Sequence, residues 1–251
     1  MEELRTSNVH LIKGDCLEVM KNIKDKSIDM ILCDLTYGTT DCKWDVIIHF
    51  EPLWAQYNRI IKENGVIVLF GSEPFSSSLR MSNIKNYRYD LIWEKNNAGN
   101  FQLAKKQFLK YHENISVFYK KQPTYNPQGI IKLEKPIIQS NKGKAGKLGH
   151  LGSEKKREVY RQEYTNYPKS ILKFARPSKP LHPTQKPAEL LKYLIRTYTN
   201  DGETILDNCM GSGSTGQAVL EVGGDRKFIG IEMDDNYFDI AYNRINGYIY
   251  E

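Results

Sequence analysis

The chain has 251 residues, 40% of them hydrophobic, and a formal net charge of +6 at pH 7. That length and composition fit one globular domain with a large insertion and exclude a disordered chain. No run approaches the roughly 18 apolar residues of a membrane helix, and the first residues, Met1-Glu2-Glu3-Leu4-Arg5, lack the apolar stretch of a signal peptide. A cytoplasmic protein is expected, with no membrane partner.

Strand and helix patterns alternate along the chain. Val9 to Ile12 reads as a strand and Cys16 to Ile23 as a helix with apolar residues at helical spacing. Ile28 to Cys33 is a strand, Phe50 to Lys62 a helix, and Gly65 to Phe70 a buried strand. Pro74 to Asn83 reads as a helix opened by its proline. Tyr89 to Trp93 and Ile115 to Tyr119 are two further strands. From 121 to 180 the periodicity fails. Order returns in helix Pro187 to Tyr198, strand Thr204 to Leu206, helix Ser214 to Val222, strand Phe228 to Ile231 and helix Asn236 to Ile245. Seven strands with intervening helices predict a mostly parallel, doubly wound α/β sheet. The catalytic domain is expected over 1–120 and 181–251, with 121–180 as an irregular insertion too long for an ordinary loop.

The charge is concentrated in that insertion. Lys120 to Lys179 holds fifteen Lys/Arg and four Asp/Glu, a net of +11, so the rest of the chain is acidic. Such a segment is the footprint of a polyanion-binding surface, with Lys155, Lys156 and Arg157 its densest run; a solvated insertion is the plainer reading. The four cysteines, Cys16, Cys33, Cys42 and Cys209, form no Cys-x-x-Cys pair. They read as small buried hydrophobes, and no metal site is expected.

Two polar loops follow apolar runs. Thr204-Ile205-Leu206-Asp207-Asn208-Cys209 leads into Gly211-Ser212-Gly213-Ser214-Thr215-Gly216 and a helix. Glycines let backbone approach a ligand, and a helix N-terminus offers free N–H groups. Glu232, after the next strand, suits ribose hydroxyls. Gly211-x-Gly213-x-x-Gly216 is also, literally, the dinucleotide fingerprint. Asp207, however, suits a cationic ammonium better than a pyrophosphate. The single helix after Glu232 is also too little for a Rossmann half-domain. Both points favour S-adenosylmethionine. Gly14-Asp15-Cys16 looks like the next strand-to-helix turn, with Asp15 available to an adenine amino group or as a plain helix N-cap. In His182-Pro183-Thr184-Gln185-Lys186-Pro187, two prolines fix the backbone and leave Thr184, Gln185 and Lys186 for a ligand; alone, the run is a turn and helix start. The second loop, Asp34-Leu35-Thr36-Tyr37-Gly38, follows the strand ending at Cys33.

These residues resemble an amino-group DNA methyltransferase of the β class, the permuted group that methylates adenine N6 or cytosine N4. Asp34-Leu35-Thr36-Tyr37 is similar to its catalytic (Asp/Ser/Asn)-Pro-Pro-Tyr motif, Asp207 to Gly216 to its cofactor loop, and His182 to Pro187 to its HPTQKP element. The order of the pieces is also the β-class order. Leu35 and Thr36 replace both motif prolines, which bears on the stiffness of that loop. The resemblance implies a Rossmann-like fold, S-adenosylmethionine as cofactor, and double-stranded DNA as substrate with its target base flipped out. Dimers occur in the family, so a homodimer is an open expectation. Asp34 and the Leu35 carbonyl would accept hydrogen bonds from the target amine, and Tyr37 would stack on the base. Cofactor contacts are expected from Asp15, Cys16, Thr184, Gln185, Lys186, Asp207, Asn208, Gly211, Gly213, Ser214, Thr215 and Glu232. Lys95, Asn96 and His112 would line the target side; a lone His is more often structural. The acidic Asp34 favours adenine, with cytosine N4 the sibling reading. Two readings of different kinds compete with these: an oxidoreductase using the literal glycine fingerprint for a dinucleotide, and an inactive relative that binds nucleic acid.

Overall fold

The structure, a computed structural model, describes residues 3–38, 47–139, 160–177 and 185–250. In chain order its elements are β1 (Glu3–Arg5), β2 (Val9–Lys13), α1 (Cys16–Met20), β3 (Ile28–Cys33), α2 (Phe50–Ile60), β4 (Ile61–Gly71), α3 (Phe75–Ser82), β5 (Tyr87–Glu94), β6 (His112–Phe118), β7 (Ile131–Gln139), β8 (Tyr160–Thr165), β9 (Ile171–Lys173), α4 (Ala188–Tyr198), β10 (Thr204–Asp207), α5 (Ser214–Val222), β11 (Lys227–Glu232) and α6 (Asp235–Tyr250). They fall into two compact units, residues 1–126 with 170–251, and residues 127–169.

The larger unit is built on a nine-stranded sheet in the order β1-β2-β11-β10-β3-β4-β6-β5-β9. From β2 to β4 all neighbours are parallel. β1 pairs antiparallel with β2, as do β6 with β4 and β5 with β6, while β9 runs parallel to β5 at the far edge. The last two strands of the chain therefore lie between its second and third, and loops from the two ends of the sequence become neighbours.

All seven expected strands are present, and two more extend the sheet. β1 and β9 are three residues long with one buried side chain each, Leu4 and Leu172, too short for any periodic pattern. The central strands are apolar on both faces because helices cover both. Alternate residues serve opposite cores. Met30, Leu32, Val66 and Val68 pack with the buried faces of α4, α5 and α6. Ile31, Cys33, Ile67 and Leu69 pack with α1, α2 and α3, through Met20, Tyr57 and Leu79 among others. Asp29 is the exception inside β3. Its carboxylate accepts from Lys62 Nζ (2.7 Å) and the Thr204 N–H (3.0 Å), which ties β3 to the start of β10.

Among its described residues the smaller unit pairs β7 with β8, antiparallel, with a register shift between Lys132 and Ile137. Residues 121–126 and 171–173 belong to the larger unit: the Asn126 N–H donates to the Thr197 carbonyl at 2.7 Å, and β9 joins the sheet. Lys155, Lys156, Arg157 and Thr184 lie outside the described residues, as do His182 and Pro183. Among the described residues no helix is long and apolar enough to cross a membrane.

Candidate active site

A cavity of about 660 Å³ opens at the carboxyl ends of β2, β3, β10 and β11. It lies where the strand order reverses, between β10 and β3, the place where open α/β sheets bind ligands. One wall carries Asp15, Gly211 and Glu232, and the other Asp34, Tyr37, Lys95 and Glu113.

On the first wall, Glu232 ends β11 and organises the glycine loop. Its Oε2 accepts from the Gly211 N–H (2.8 Å), and its Oε1 from the N–H groups of Met233 and Asp234 (both 2.9 Å). A carboxylate has about four acceptor sites. Three protein bonds therefore leave Oε2 room for a ligand hydroxyl. Burial raises the Glu232 carboxyl above the usual glutamate range, against those three hydrogen bonds. Asp15 caps α1, its Oδ1 accepting from the N–H groups of Leu17 (2.8 Å) and Glu18 (3.2 Å), and it also lines the cavity. The helix-cap and ligand readings of Asp15 are thus compatible. Cys16, Gln185, Asn208, Ser214 and Thr215 line the cavity as well.

Several of these side chains are engaged within the protein. Asn208 Oδ1 accepts from the buried Tyr57 hydroxyl at 2.5 Å, and Ser214 Oγ from Arg244 at 3.0 Å. Asp207 lines the cavity, but its carboxylate is also engaged within the protein. It is 3% exposed, and its oxygens accept from the Thr215 hydroxyl (2.6 Å) and the Cys209 N–H (3.2 Å). Burial pushes its pKa up to about 6, the Thr215 hydroxyl opposing. Asp207 fastens the loop from inside. Gly213 also differs from expectation, since it is absent from the cavity wall. Its φ is +77°, and a Cβ there would meet the Ala241 Cβ at 3.0 Å; at Gly216 a Cβ would meet Ile245 at 2.5 Å. Two of the three fingerprint glycines therefore let α5 pack on α6 and its surroundings rather than admit a pyrophosphate.

On the second wall, Asp34 emerges from β3. The Tyr37 hydroxyl donates to Asp34 Oδ1 at 2.5 Å, and Lys186 Nζ donates to Oδ2. Lys186 is 5% exposed and also faces Glu113 Oε2 at 3.4 Å. Glu113 Oε1 in turn accepts from Lys95 Nζ. Two carboxylates and two ammonium groups thus alternate: Asp34, Lys186, Glu113, Lys95. Rings bracket the ladder, with Lys186 Nζ 5.2 Å from the Phe70 centroid and Lys95 Nζ 4.9 Å from that of Trp93. Burial favours neutral forms throughout. For Lys186 it is outweighed by Asp34 and Glu113, which hold the ammonium pKa above the usual lysine value. For Glu113 it is outweighed by Lys186 and Lys95, which hold the carboxyl low. For Asp34 burial prevails, raising the carboxyl despite Lys186 and with help from Glu113. Burial and Asp34 also raise the Tyr37 phenol, so it stays a donor.

Lys186, expected on the cofactor side, lines the cavity with its ammonium on the Asp34 carboxylate. Lys95 lines the cavity, as expected, but its ammonium serves Glu113. His112 is exposed on the rim at the first residue of β6. Asn96 lies off the cavity wall, where its Oδ1 accepts from the Arg176 N–H at 3.0 Å. Leu35 and Thr36 both line the cavity, and Leu35, 4% exposed, is anchored in the core beneath α1–α3. Burial gives that loop an anchor in place of a proline ring. The Tyr37 ring stacks on Phe75, centroids 5.0 Å apart at 29°. Glu113 stands beside the expected His112 at the start of β6, opposite Trp93 in the β5–β6 pairing, and its place in the ladder emerges only from the fold. Among the described residues no group of three metal-ligating side chains occurs.

The chain is similar to known proteins over most of its length. The family model described as DNA methylase, of the N6 and N4 kind, matches residues 28–243. The DNA adenine methyltransferase YhdJ of Escherichia coli is 28% identical over 256 residues, spanning 94% of this chain and 82% of that protein. The Type II methyltransferase M.HinfI of Haemophilus influenzae is 28% identical over 268 residues, spanning 94% of this chain and 67% of that protein. Among solved structures, the M1.HpyAVI–SAM complex superposes with a TM-score of 0.63 at 24% identity, covering 94% of this chain and 99% of that one. The PvuII DNA methyltransferase, described as cytosine-N4-specific, gives 0.67 at 15% identity, covering 97% and 92%.

Proposed function

The chain belongs to the DNA methylase family, and on that premise we propose that it transfers the methyl group of S-adenosylmethionine to the exocyclic N6 of adenine in double-stranded DNA. The observation that carries the reading is the placement of Asp34, with Tyr37 and Lys186 on its two oxygens, across one cavity from the Gly211–Glu232 loop.

The cavity residues fit the cofactor. Glu232 Oε2 has room for a ribose hydroxyl, Asp15 stands at the next strand end for the adenine, and residues 208–212, 214 and 215 border the space between. The cofactor supplies an electrophilic methyl group on a sulfonium. The protein's part is to make the amine a nucleophile. An amine conjugated to its ring has little free lone-pair density. An N–H donated to Asp34, and a second to the Leu35 carbonyl, draw density onto nitrogen as it becomes positive. Asp34 still has acceptor sites beyond those used by Tyr37 and Lys186. Burial makes it a stronger base than a surface aspartate, suited to the proton that the methylated nitrogen sheds. Lys186 and Tyr37 hold the carboxylate in place, so little rearrangement is needed as charge develops. Tyr37 lines the cavity with its ring on Phe75 and Lys186 Nζ 6.0 Å from its centroid, and in this reading it stacks on the flipped base.

Both curated relatives match at 28% identity over most of the chain, and one is described as an adenine methyltransferase. That supports adenine over cytosine. Cytosine N4 is the second reading, favoured by the fold likeness to the PvuII enzyme and by an acceptor geometry that serves either amine. The basic insertion, with its +11 excess between Lys120 and Lys179, we assign to DNA contact and target recognition. Methylation-sensitive sequencing of DNA from cells expressing the wild-type chain or Asp34→Ala tests the proposal. N6-methyladenine in a defined context, lost in the variant, is the expected result. Methylation of cytosine N4 selects the second reading, and no new methylated base contradicts both.

A further inference from the structure

Extruding a base leaves a gap in the stack, and proteins that distort duplexes often fill such gaps with an apolar wedge. The segment joining β5 to β6 carries a side chain of this kind. Residues 101–108 are all exposed, with Phe101 at 74% and Phe108 at 99%. Large apolar groups left in water mark interaction surfaces. The segment is nonetheless fixed. Asn100 Oδ1 accepts from the Lys110 N–H at 2.6 Å, and its Nδ2 donates to the Phe108 carbonyl at 3.3 Å. The Gly99 N–H donates to the Lys110 carbonyl at 3.1 Å, and the Gln107 N–H to that of Leu103 at 3.0 Å. Gly99, Asn100 and Lys110 line the same cavity as Asp34. Phe108 therefore stands one hydrogen bond from the cavity rim, on a hydrogen-bonded turn.

The charge around it identifies the occupant. Asn96 to Lys110 contains Lys105, Lys106 and Lys110 and no acidic residue. Lysine is depleted in protein–protein interfaces and enriched where phosphates are bound. We propose that Phe108 enters the DNA stack in the space vacated by the target base, with Lys105 and Lys106 on the flanking phosphates. The proposal rests on the DNA-methylation reading and gives the β5–β6 segment its part in it.

The test compares two duplexes carrying the recognition site: one fully paired, one with an abasic position opposite the target adenine, so that the base is already unpaired. Phe108→Ala should lower kcat/KM on the paired duplex by about tenfold or more, yet change it by less than about threefold on the unpaired one, as expected of lost stacking. Phe108→Trp should restore the paired rate, and cofactor affinity should be unchanged. An exposed side chain leaves folding intact, which circular dichroism checks. Wild-type activity of Phe108→Ala on paired DNA, or equal losses on both duplexes, overturns the wedge. So does a shift from dimer to monomer in sedimentation, which would make Phe108 a contact between copies of the chain. Wild-type protein inactive on both duplexes contradicts the methylation reading itself, and the wedge falls with it.

Discussion

Lys186 is the keystone of the buried ladder, and its removal has calculable consequences. In Lys186→Met, Asp34 and Glu113 lose the ammonium between them, and only Lys95 remains for two carboxylates. Breaking a buried ion pair by deleting one partner costs about 3–5 kcal/mol, a large part of the roughly 5–15 kcal/mol that holds a domain together. Lys186 is 5% exposed, so solvent recovers little of that. The sign of the pH dependence follows from the carboxyls. With the opposing charge gone, burial raises Asp34 further and the depression of Glu113 weakens to what Lys95 alone supplies. An acid with a raised folded pKa favours folding at low pH and loses that contribution as pH rises through the folded value. The variant's deficit should therefore be smaller at pH 5 than at pH 8 in urea denaturation. Methyl transfer, which needs ionised Asp34, should show its acid limb at higher pH than in the wild type. Adding Glu113→Gln should recover part of both losses, because it leaves a single carboxylate. A Lys186→Met protein within about 1 kcal/mol of wild type at pH 8, with an unmoved acid limb, would refute the reasoning.

Three further outcomes are expected. Glu232→Ala removes a ribose acceptor and the anchor of three loop N–H groups, so calorimetry should show S-adenosylmethionine binding weakened by roughly 1–3 kcal/mol; unchanged affinity in a folded variant sinks the assignment. Asp207, raised to about 6, holds a proton in the fold that the unfolded chain has released, so its contribution should fall by about 2 kcal/mol as pH rises from 4 to 6. Asp207→Asn cannot titrate, and identical stability slopes for variant and wild type over that window would count against the buried, proton-linked carboxyl. Neutralising Lys155, Lys156 and Arg157 together should weaken DNA binding and flatten its salt dependence, since each lost phosphate contact releases fewer counterions; wild-type affinity and slope would place the DNA surface elsewhere.

What the sequence disclosed depended on how local the signal was. β3 and β10 were legible because continuous apolar runs, Ile28 to Cys33 and Thr204 to Leu206, end abruptly in polar loops. The convergence of those loops on one cavity was not, because it depends on β10 and β11 entering between β2 and β3. The motif order supplied it by resemblance. β1 and β9 escaped because three residues with one buried side chain carry no period. The β7–β8 pairing was hidden by its exposed isoleucines, Ile131, Ile137 and Ile138, which follow no alternation across a register shift. Within the site, residue types were legible but their partners were not. Asp207 has the charge to meet an ammonium, yet Thr215, eight residues on, claims it when the loop turns into α5. Lys186 sits in a motif read as cofactor-binding, and only the tertiary fold brings it 152 residues back to Asp34.

The central claim is that Asp34 polarises the target amine. Single-turnover methyl transfer by Asp34→Ala, with cofactor and DNA at saturation, tests it most directly. Because the contact matters most as charge develops on nitrogen, folding and S-adenosylmethionine binding should be nearly intact while the rate falls by several orders of magnitude. A folded Asp34→Ala protein that binds both ligands and transfers methyl at near the wild-type rate would contradict the account.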